Sequence, residues 1–335
     1  MCSGIKIICK DGTVIVSRTL EFGYIFDYKV YRNDNILGIT TENYFLDGIN
    51  KHGLCVMTFY FPKFDEYTDD IPEGNISLMS LEVTGYLLEH AKNIHDIEEM
   101  IKKISVNKEI FKTFNSVVPV HWFCVDKSGD CITIESVKGV LTVYKNKLGV
   151  MTNSPTFPIH LLSLEAFPEF SRYNNPHKTY SEGTGMNGLP GDFSSISRFV
   201  RLNLFQQLHT MPNSSEDGVF TAFHILNNFD IVKGYVEDSK GVQEFTQYTV
   251  VYDLNNLNGW YKTYENQIVR NLVSNKILLL QNGNPNNPND FTSIQKNTSN
   301  EIFSIISGII LLTLLIVIML NRRNLARFLP HHLIK

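Results

Sequence analysis

The first 62 residues alternate short apolar runs with polar turns. I-K-I-I-C-K is followed by Asp11-Gly12 and T-V-I-V-S-R, and D-G-I-N-K-H-G precedes L-C-V-M-T-F-Y-F. Branched and aromatic residues in runs of this length predict strands, and Asp-Gly between two such runs predicts a hairpin turn. Over residues 77–105 the period changes: Leu81, Leu87, Leu88, Ile94, Ile97 and Ile101 fall near helical spacing with Glu and Lys between them, which predicts a helical layer. From His121 the strand pattern returns in W-F-C-V-D, C-I-T-I-E and V-L-T-V-Y. Residues 194–211 and 218–228 then read as helices, and residues 248–252 with 260–264 as a closing hairpin. Two groups of strands and two of helices predict an α+β chain with sheets packed face to face under helical layers.

The last part of the chain has another pattern. Residues 302–320, opening on Ile302 and closing on Leu320, carry no charge, and at about 1.5 Å per residue they span roughly 30 Å, the thickness of a bilayer's hydrocarbon. This predicts one C-terminal transmembrane helix and hence a membrane as partner. The domain plan is a catalytic domain over 1–281, a polar Asn/Pro-rich linker over 282–300, the span over 301–321 and a basic tail over 322–335. Arg322, Arg323, Arg327 and Lys335 follow the span while Lys296 is the nearest basic residue before it, a bias toward a cytoplasmic C-terminus. The N-terminus shows no signal-peptide core, so the chain is read as tail-anchored with its catalytic domain facing the cytosol. The N-x-S/T sequons at Asn75, Asn213 and Asn297 matter only to a chain that enters a secretory lumen.

Composition narrows the chemistry. With 335 residues, 43% of them hydrophobic, the chain can bury a full core. The net charge is −4 and the basic residues form no stripe, which argues against nucleic acid as a partner. Cys2, Cys9, Cys55, Cys124 and Cys131 are odd in number and lack C-x-x-C or zinc-type spacing, so neither a disulfide framework nor a metal is expected. Four of them sit in strand-like runs, where cysteine is ordinarily a small buried apolar residue. Cys2 differs because removal of Met1 would leave it bearing both a thiol and a free α-amine. Arg18 and Glu21, in S-R-T-L-E-F, bring a cation and a carboxylate to a strand end; the plainer reading is a surface ion pair.

In order along the chain, M-C-S-G, S-R-T-L-E-F (17–22), D-G-I-N-K-H-G-L (47–54), G-V-M-T-N-S-P-T-F (149–157), G-L-P-G-D-F-S-S-I-S-R-F-V-R (188–201), F-H-I-L-N-N (223–228), Q-Y-T-V-V-Y-D and Y-K-T-Y-E-N-Q resemble the choloylglycine hydrolase family, which includes conjugated bile salt hydrolases and penicillin V acylases. The resemblance covers about residues 1–270. It implies an N-terminal nucleophile hydrolase with a four-layer αββα sandwich that cleaves linear amides without a cofactor. Cys2 would be the nucleophile, forming a thioester, and its own α-amine the base. Arg18 would favour the thiolate, Asn153 would serve the oxyanion, and Arg198 would organise the polar network. On their own, Asn153 reads as a turn residue before Pro155 and Arg198 as a solvated helix residue.

The chain departs from the family at several places. Glu21 stands where the family has an aspartate beside the amine, and Glu82, a candidate substrate-binding residue, falls near a second oxyanion-region position that is asparagine in bile salt hydrolases and tyrosine in penicillin V acylases. The stretch between Asn153 and Arg198 is short in a region that serves tetramer assembly in the family, which leaves a homo-oligomer open. The expected substrate is a conjugated bile salt or related N-acyl amide with an apolar acyl group, lined by the F-Y-F-P run at 59–62. Competing readings are a penicillin V acylase-like amidase, a catalytically inactive membrane-tethered binding protein of the same fold, and a papain-like cysteine protease. The last lacks a cysteine in a suitable helix-start context.

Overall fold

The computed structural model describes residues 1–167, 170–173, 185–238 and 240–274, all within one compact unit, Met1–Leu278. The expected linker, span and basic tail lie outside the described residues. Among the described residues no helix is long and apolar enough to cross a membrane.

The chain opens with β1 (Cys2–Ile8), β2 (Val14–Phe22), β3 (Lys29–Arg32), β4 (Ile36–Thr41), β5 (Tyr44–Asn50) and β6 (Leu54–Tyr60). A short β7 (Ile76–Leu78), helices α1 (Glu82–His90) and α2 (Ile94–Met100), and β8 (Ile104–Val106) come next. They lead into β9 (Val120–Asp126), β10 (Cys131–Val137), β11 (Val140–Lys145) and β12 (Val150–Met151). Helices α3 (Phe157–Leu164), α4 (Ser195–Leu208) and α5 (Ser215–Leu226) precede β13 (Val236–Glu237), β14 (Gln243–Asp253), β15 (Asn258–Thr263) and β16 (Arg270–Asn271). One sheet has the order β12-β1-β2-β14-β15-β16, with β13 on β14; the other runs β11-β10-β9-β6-β5-β4-β3.

Period-2 alternation divides the side chains among three apolar cores. Leu54 and Val56 of β6, with Trp122 and Cys124 of β9, pack on Leu87, Leu88, Ile94 and Ile97 of α1 and α2. The alternate residues Cys55, Met57, Phe59 and Phe123 turn the other way and meet Val14, Val16, Leu20 and Val250 of the first sheet. On that sheet's far side, Ile5, Ile7, Ile15 and Val251 pack on Phe199 and Leu202 of α4 and on Val219 and Phe223 of α5. Cys2 belongs to the core between the sheets.

Two expectations need correction. Residues 77–105 do not form one helical layer: a strand leads in, and Ala91 to Asn93 separate α1 from α2, because the Asn93 side chain accepts from Asp96 N and starts a new helix. Asp11-Gly12 does turn the chain between β1 and β2, with Gly12 at φ +85°, but Asp47-Gly48 lies inside β5. The turn comes later, where Gly53 N bonds Asn50 O. Glycine suits position 48 because its strand partner is Gly38, whose Cα would lie 3.2 Å from an added Cβ.

Alanine normally favours a helix over glycine by about 0.5–1 kcal/mol. Gly218 in α5 reverses that, since an added Cβ would stand 2.5 Å from Cys9 Sγ and 2.9 Å from Ile15 Cγ1. Gly218→Ala is expected to destabilise the fold by about 1–3 kcal/mol in urea unfolding; a gain in stability would mean that α5 does not pack this closely on β1 and β2.

Candidate active site

The register of β1 on β2 pairs Cys2 with Leu20 and Gly4 with Arg18. Arg18 therefore leaves β2 on the face that carries Val14, Val16 and Leu20, into the core between the sheets, and is fully buried. Its Nη2 donates to Cys2 Sγ at 2.7 Å, and its Nη1 donates to Thr58 O at 2.5 Å and Leu46 O at 3.3 Å. Phe59 lies under the guanidinium at 4.6 Å. Asp47 Oδ2 stands 3.8 Å from Nη1, held by the hydroxyls of Tyr248 at 2.5 Å and Tyr252 at 2.6 Å. Burial pulls the Arg18 pKa down, but the negative charge of Cys2, Tyr248 and Asp47 outweighs it and the net shift is upward. Burial raises the Asp47 pKa, opposed by Arg18 and the two tyrosine hydroxyls.

Glu21 is three residues further along β2 and so emerges on the opposite face from Arg18. Both are buried, and no ion pair joins them, which rules out the surface pair as a reading of this motif. Glu21 Oε1 accepts from Thr246 Oγ1 at 2.9 Å, while Oε2 has no protein partner. Burial raises its pKa; the N-terminal amine and Arg198 act the other way. With Met1 in place, that amine donates to Glu21 O at 2.5 Å and lies 3.0 Å from Glu244 Oε2.

Asn153 and Arg198 close the group. Asn153 Oδ1 accepts from Cys2 N at 2.7 Å and from Arg198 Nη2 at 2.8 Å, and its Nδ2 donates to Tyr60 O at 2.7 Å. Arg198 Nη1 reaches Cys2 O and donates to Ser3 Oγ at 2.8 Å. Neither residue is the exposed turn or solvated helix position of the plainer reading: Asn153 is 5% exposed and Arg198 0%. The D-F-S-S stretch acts as the start of α4. Ser194 Oγ accepts from Ser197 N, and the Asp192 carboxylate, pulled to a pKa of about 2 by bonds from Ser194 and Ser197, accepts from Ser194 N. That cap sets where Arg198, one turn in, points.

Cys2 and Arg18 open onto an apolar pocket of ≈ 60 Å³, lined on its other sides by Phe22, Phe26, Tyr44, Phe111 and Phe114 among others. Of the F-Y-F-P run only Tyr60 lines it; Phe59 is packed under Arg18, and Phe61 stacks on His121 at 4.2 Å. Glu82 is not among the lining residues: it is exposed, and its Oε2 accepts from Met79 N at 2.7 Å at the start of α1, while its neighbour Leu81 faces the pocket. The other four cysteines are free and buried, with Cys9 pushed up to about 11 and Cys131 to about 12 by burial.

Residues 2–287 match the linear amide C–N hydrolases, choloylglycine hydrolase family. The chain belongs to the choloylglycine hydrolase family. It is therefore a hydrolase of carbon–nitrogen bonds in linear amides. An uncharacterized protein of Paramecium bursaria Chlorella virus 1 is 42% identical over 281 residues, covering 81% of this chain and all of the relative. The bile salt hydrolase/transferase of Clostridium perfringens is 28% identical, over 82% of this chain and 93% of its own. A crystal structure of a variant of conjugated bile acid hydrolase from Clostridium perfringens superposes with a TM-score of 0.74 at 26% identity, covering 83% of this chain and 96% of that one.

Asp47 was not singled out from the sequence, where D-G read as a turn; the available signal was Tyr248 and Tyr252, four apart on one strand and so on one face. His121 and His160 were also missed. Burial lowers both imidazole pKa values, His160 to about 4, so His160 binds its proton more readily in the unfolded chain than in the folded one between about 4 and the ordinary histidine value. The His160 contribution to thermal stability should therefore be lost as pH is lowered through that window. His160→Gln should flatten the slope, whereas equal slopes for both proteins would place the source elsewhere.

Proposed function

We propose that this choloylglycine hydrolase family member cleaves conjugated bile salts or related N-acyl amides with an apolar acyl group, through a thioester on Cys2. The observation that carries this reading is a buried thiol bonded to Arg18 at the base of a pocket whose walls are nearly all apolar. Removal of Met1 turns Cys2 N into an α-amine beside Asn153. With an ordinary pKa of about 7.7–8.0, that amine takes the thiol proton as sulfur attacks the amide carbonyl. It then returns the proton to the leaving nitrogen as the C–N bond breaks. An asparagine amide has two N–H donors; one serves Tyr60 O, and the other is available to the oxyanion, which a preorganised donor stabilises. Water then attacks the thioester, releasing the acid and restoring the thiol. Glu21 receives the amine as a hydrogen-bond donor.

The pocket is far smaller than the roughly 300–1,000 Å³ that drug-sized ligands fill. Substrate entry then requires Phe26 and Phe114, in contact at 5.6 Å, to move apart. The test is a panel of taurine- and glycine-conjugated bile salts, long-chain N-acyl amino acids and penicillin V, assayed with protein whose mass shows Met1 removed. Faster cleavage of an apolar N-acyl amide than of penicillin V is expected, with no turnover by Cys2→Ala. A preference for penicillin V would overturn the substrate class, and an active Cys2→Ala variant would overturn the nucleophile.

A further inference from the structure

The Asn153 carboxamide touches Cys2, Arg198 and Tyr60, but its main chain is held by a different set of residues. His160 Nε2 lies 2.8 Å from Asn153 O, and His121 Nε2 lies 3.0 Å from Thr152 O. A carbonyl oxygen only accepts, so each Nε2 carries the proton and donates. Both rings are fully buried and each is clamped face to face: His160 on Phe199 at 4.5 Å and 21°, His121 on Phe61 at 4.2 Å and 17°. Phe199 follows Arg198 in the chain and Phe61 follows Tyr60, so each imidazole leans on the neighbour of a residue that grips the Asn153 side chain. Asn153 N donates to Ser195 Oγ at 3.0 Å, and that hydroxyl donates to Thr152 Oγ1 at 3.0 Å. His121 Nδ1 faces Glu135 Oε1 at 3.3 Å, and the same oxygen accepts from Phe157 N at 2.9 Å.

We propose that His121 and His160 are positioning residues for amide hydrolysis, their Nε2–H groups fixing the Thr152 and Asn153 carbonyls and thereby the angle at which the Asn153 carboxamide meets Cys2. Packing alone would be served by any flat or branched apolar side chain, but two consecutive buried carbonyls need donors, and in this chain both come from imidazoles. The proposal rests on the reading that Asn153 serves the chemistry at Cys2. Neither histidine touches the reacting atoms, so their loss acts through Asn153 geometry.

The variants are His160→Leu, which removes the donor, and His160→Gln, which keeps an N–H at comparable reach. His160→Leu is expected to lower kcat about tenfold or more with KM within about twofold, since small misplacements of a catalytic group cost rate rather than binding. His160→Gln should recover most of it, and both should alkylate Cys2 with iodoacetamide at the wild-type rate. Unchanged kcat in folded His160→Leu, or equal loss in both variants, would overturn the proposal. Should His160→Leu not fold, His160→Asn, with the shorter stem, takes its place: kcat below that of His160→Gln at matched melting temperature supports the proposal, and equal kcat contradicts it. If wild type cleaves no amide tested, the substrate reading fails, and crystal structures determined for wild type and the His160 variants decide the positioning separately. A Cys2 N to Asn153 Oδ1 separation that lengthens from 2.7 Å in the variant lacking the donor supports positioning, and an unchanged one refutes it.

Discussion

A fully buried guanidinium governs this structure. Arg18 sits between two sheets with no exposed surface, where an unpaired cation would be strongly disfavoured and would expel itself or unfold the site. Its partners are the Cys2 sulfur at 2.7 Å, three main-chain carbonyls, the Phe59 ring and the Asp47 carboxylate at 3.8 Å. Removing one member of such a buried pair typically costs about 3–5 kcal/mol because the other is left uncompensated. The energetic demand of Arg18 therefore ties the Cys2 sulfur to the fold: the cation that bonds this sulfur is also the group that the core must neutralise.

The same balance extends outward. Arg18, Arg198 and the chain's amino group are set against Cys2, Asp47 and Glu21, the acids and bases lying on both faces of the first sheet. Three strands do the sorting. β1 places Cys2 inward and Ser3 outward, β2 places Arg18 inward and Glu21 outward, and β14 brings Tyr248 and Tyr252 inward to Asp47 and Thr246 outward to Glu21. Thr246 and Tyr248, two residues apart, would share a face in a regular strand, and the β14 bulge between them is what sends them to opposite faces. The geometry around Cys2 thus depends on register, since a one-residue slip would exchange these faces.

The strand pattern, most of the helices and the family were legible because they reside in local spacing and short motifs. What was illegible depended on partners far along the chain. Asp11-Gly12 and Asp47-Gly48 are the same dipeptide, yet only the first turns; the second is held in β5 by Gly38 on the next strand and by tyrosines about 200 residues away. Glu82 looked chemical by its place in the motif order, but its carboxylate turns back to accept from Met79 N ahead of α1, and Leu81 beside it lines the pocket. The aromatic wall came from Phe22, Phe26, Phe111 and Phe114, only one of them in a quoted motif, because loops that converge in space leave no common period in the sequence.

The central claim is that Cys2 carries the acyl group covalently during turnover. Intact-protein mass spectrometry after acid quench, within the first turnovers of an apolar N-acyl amide, tests it most directly. The account predicts a transient species heavier by the acyl group less one hydrogen, located on Cys2 by peptide mapping and discharged by hydroxylamine. Steady turnover with no such species, in a variant or condition where the release step is slow enough for it to accumulate, would contradict the account.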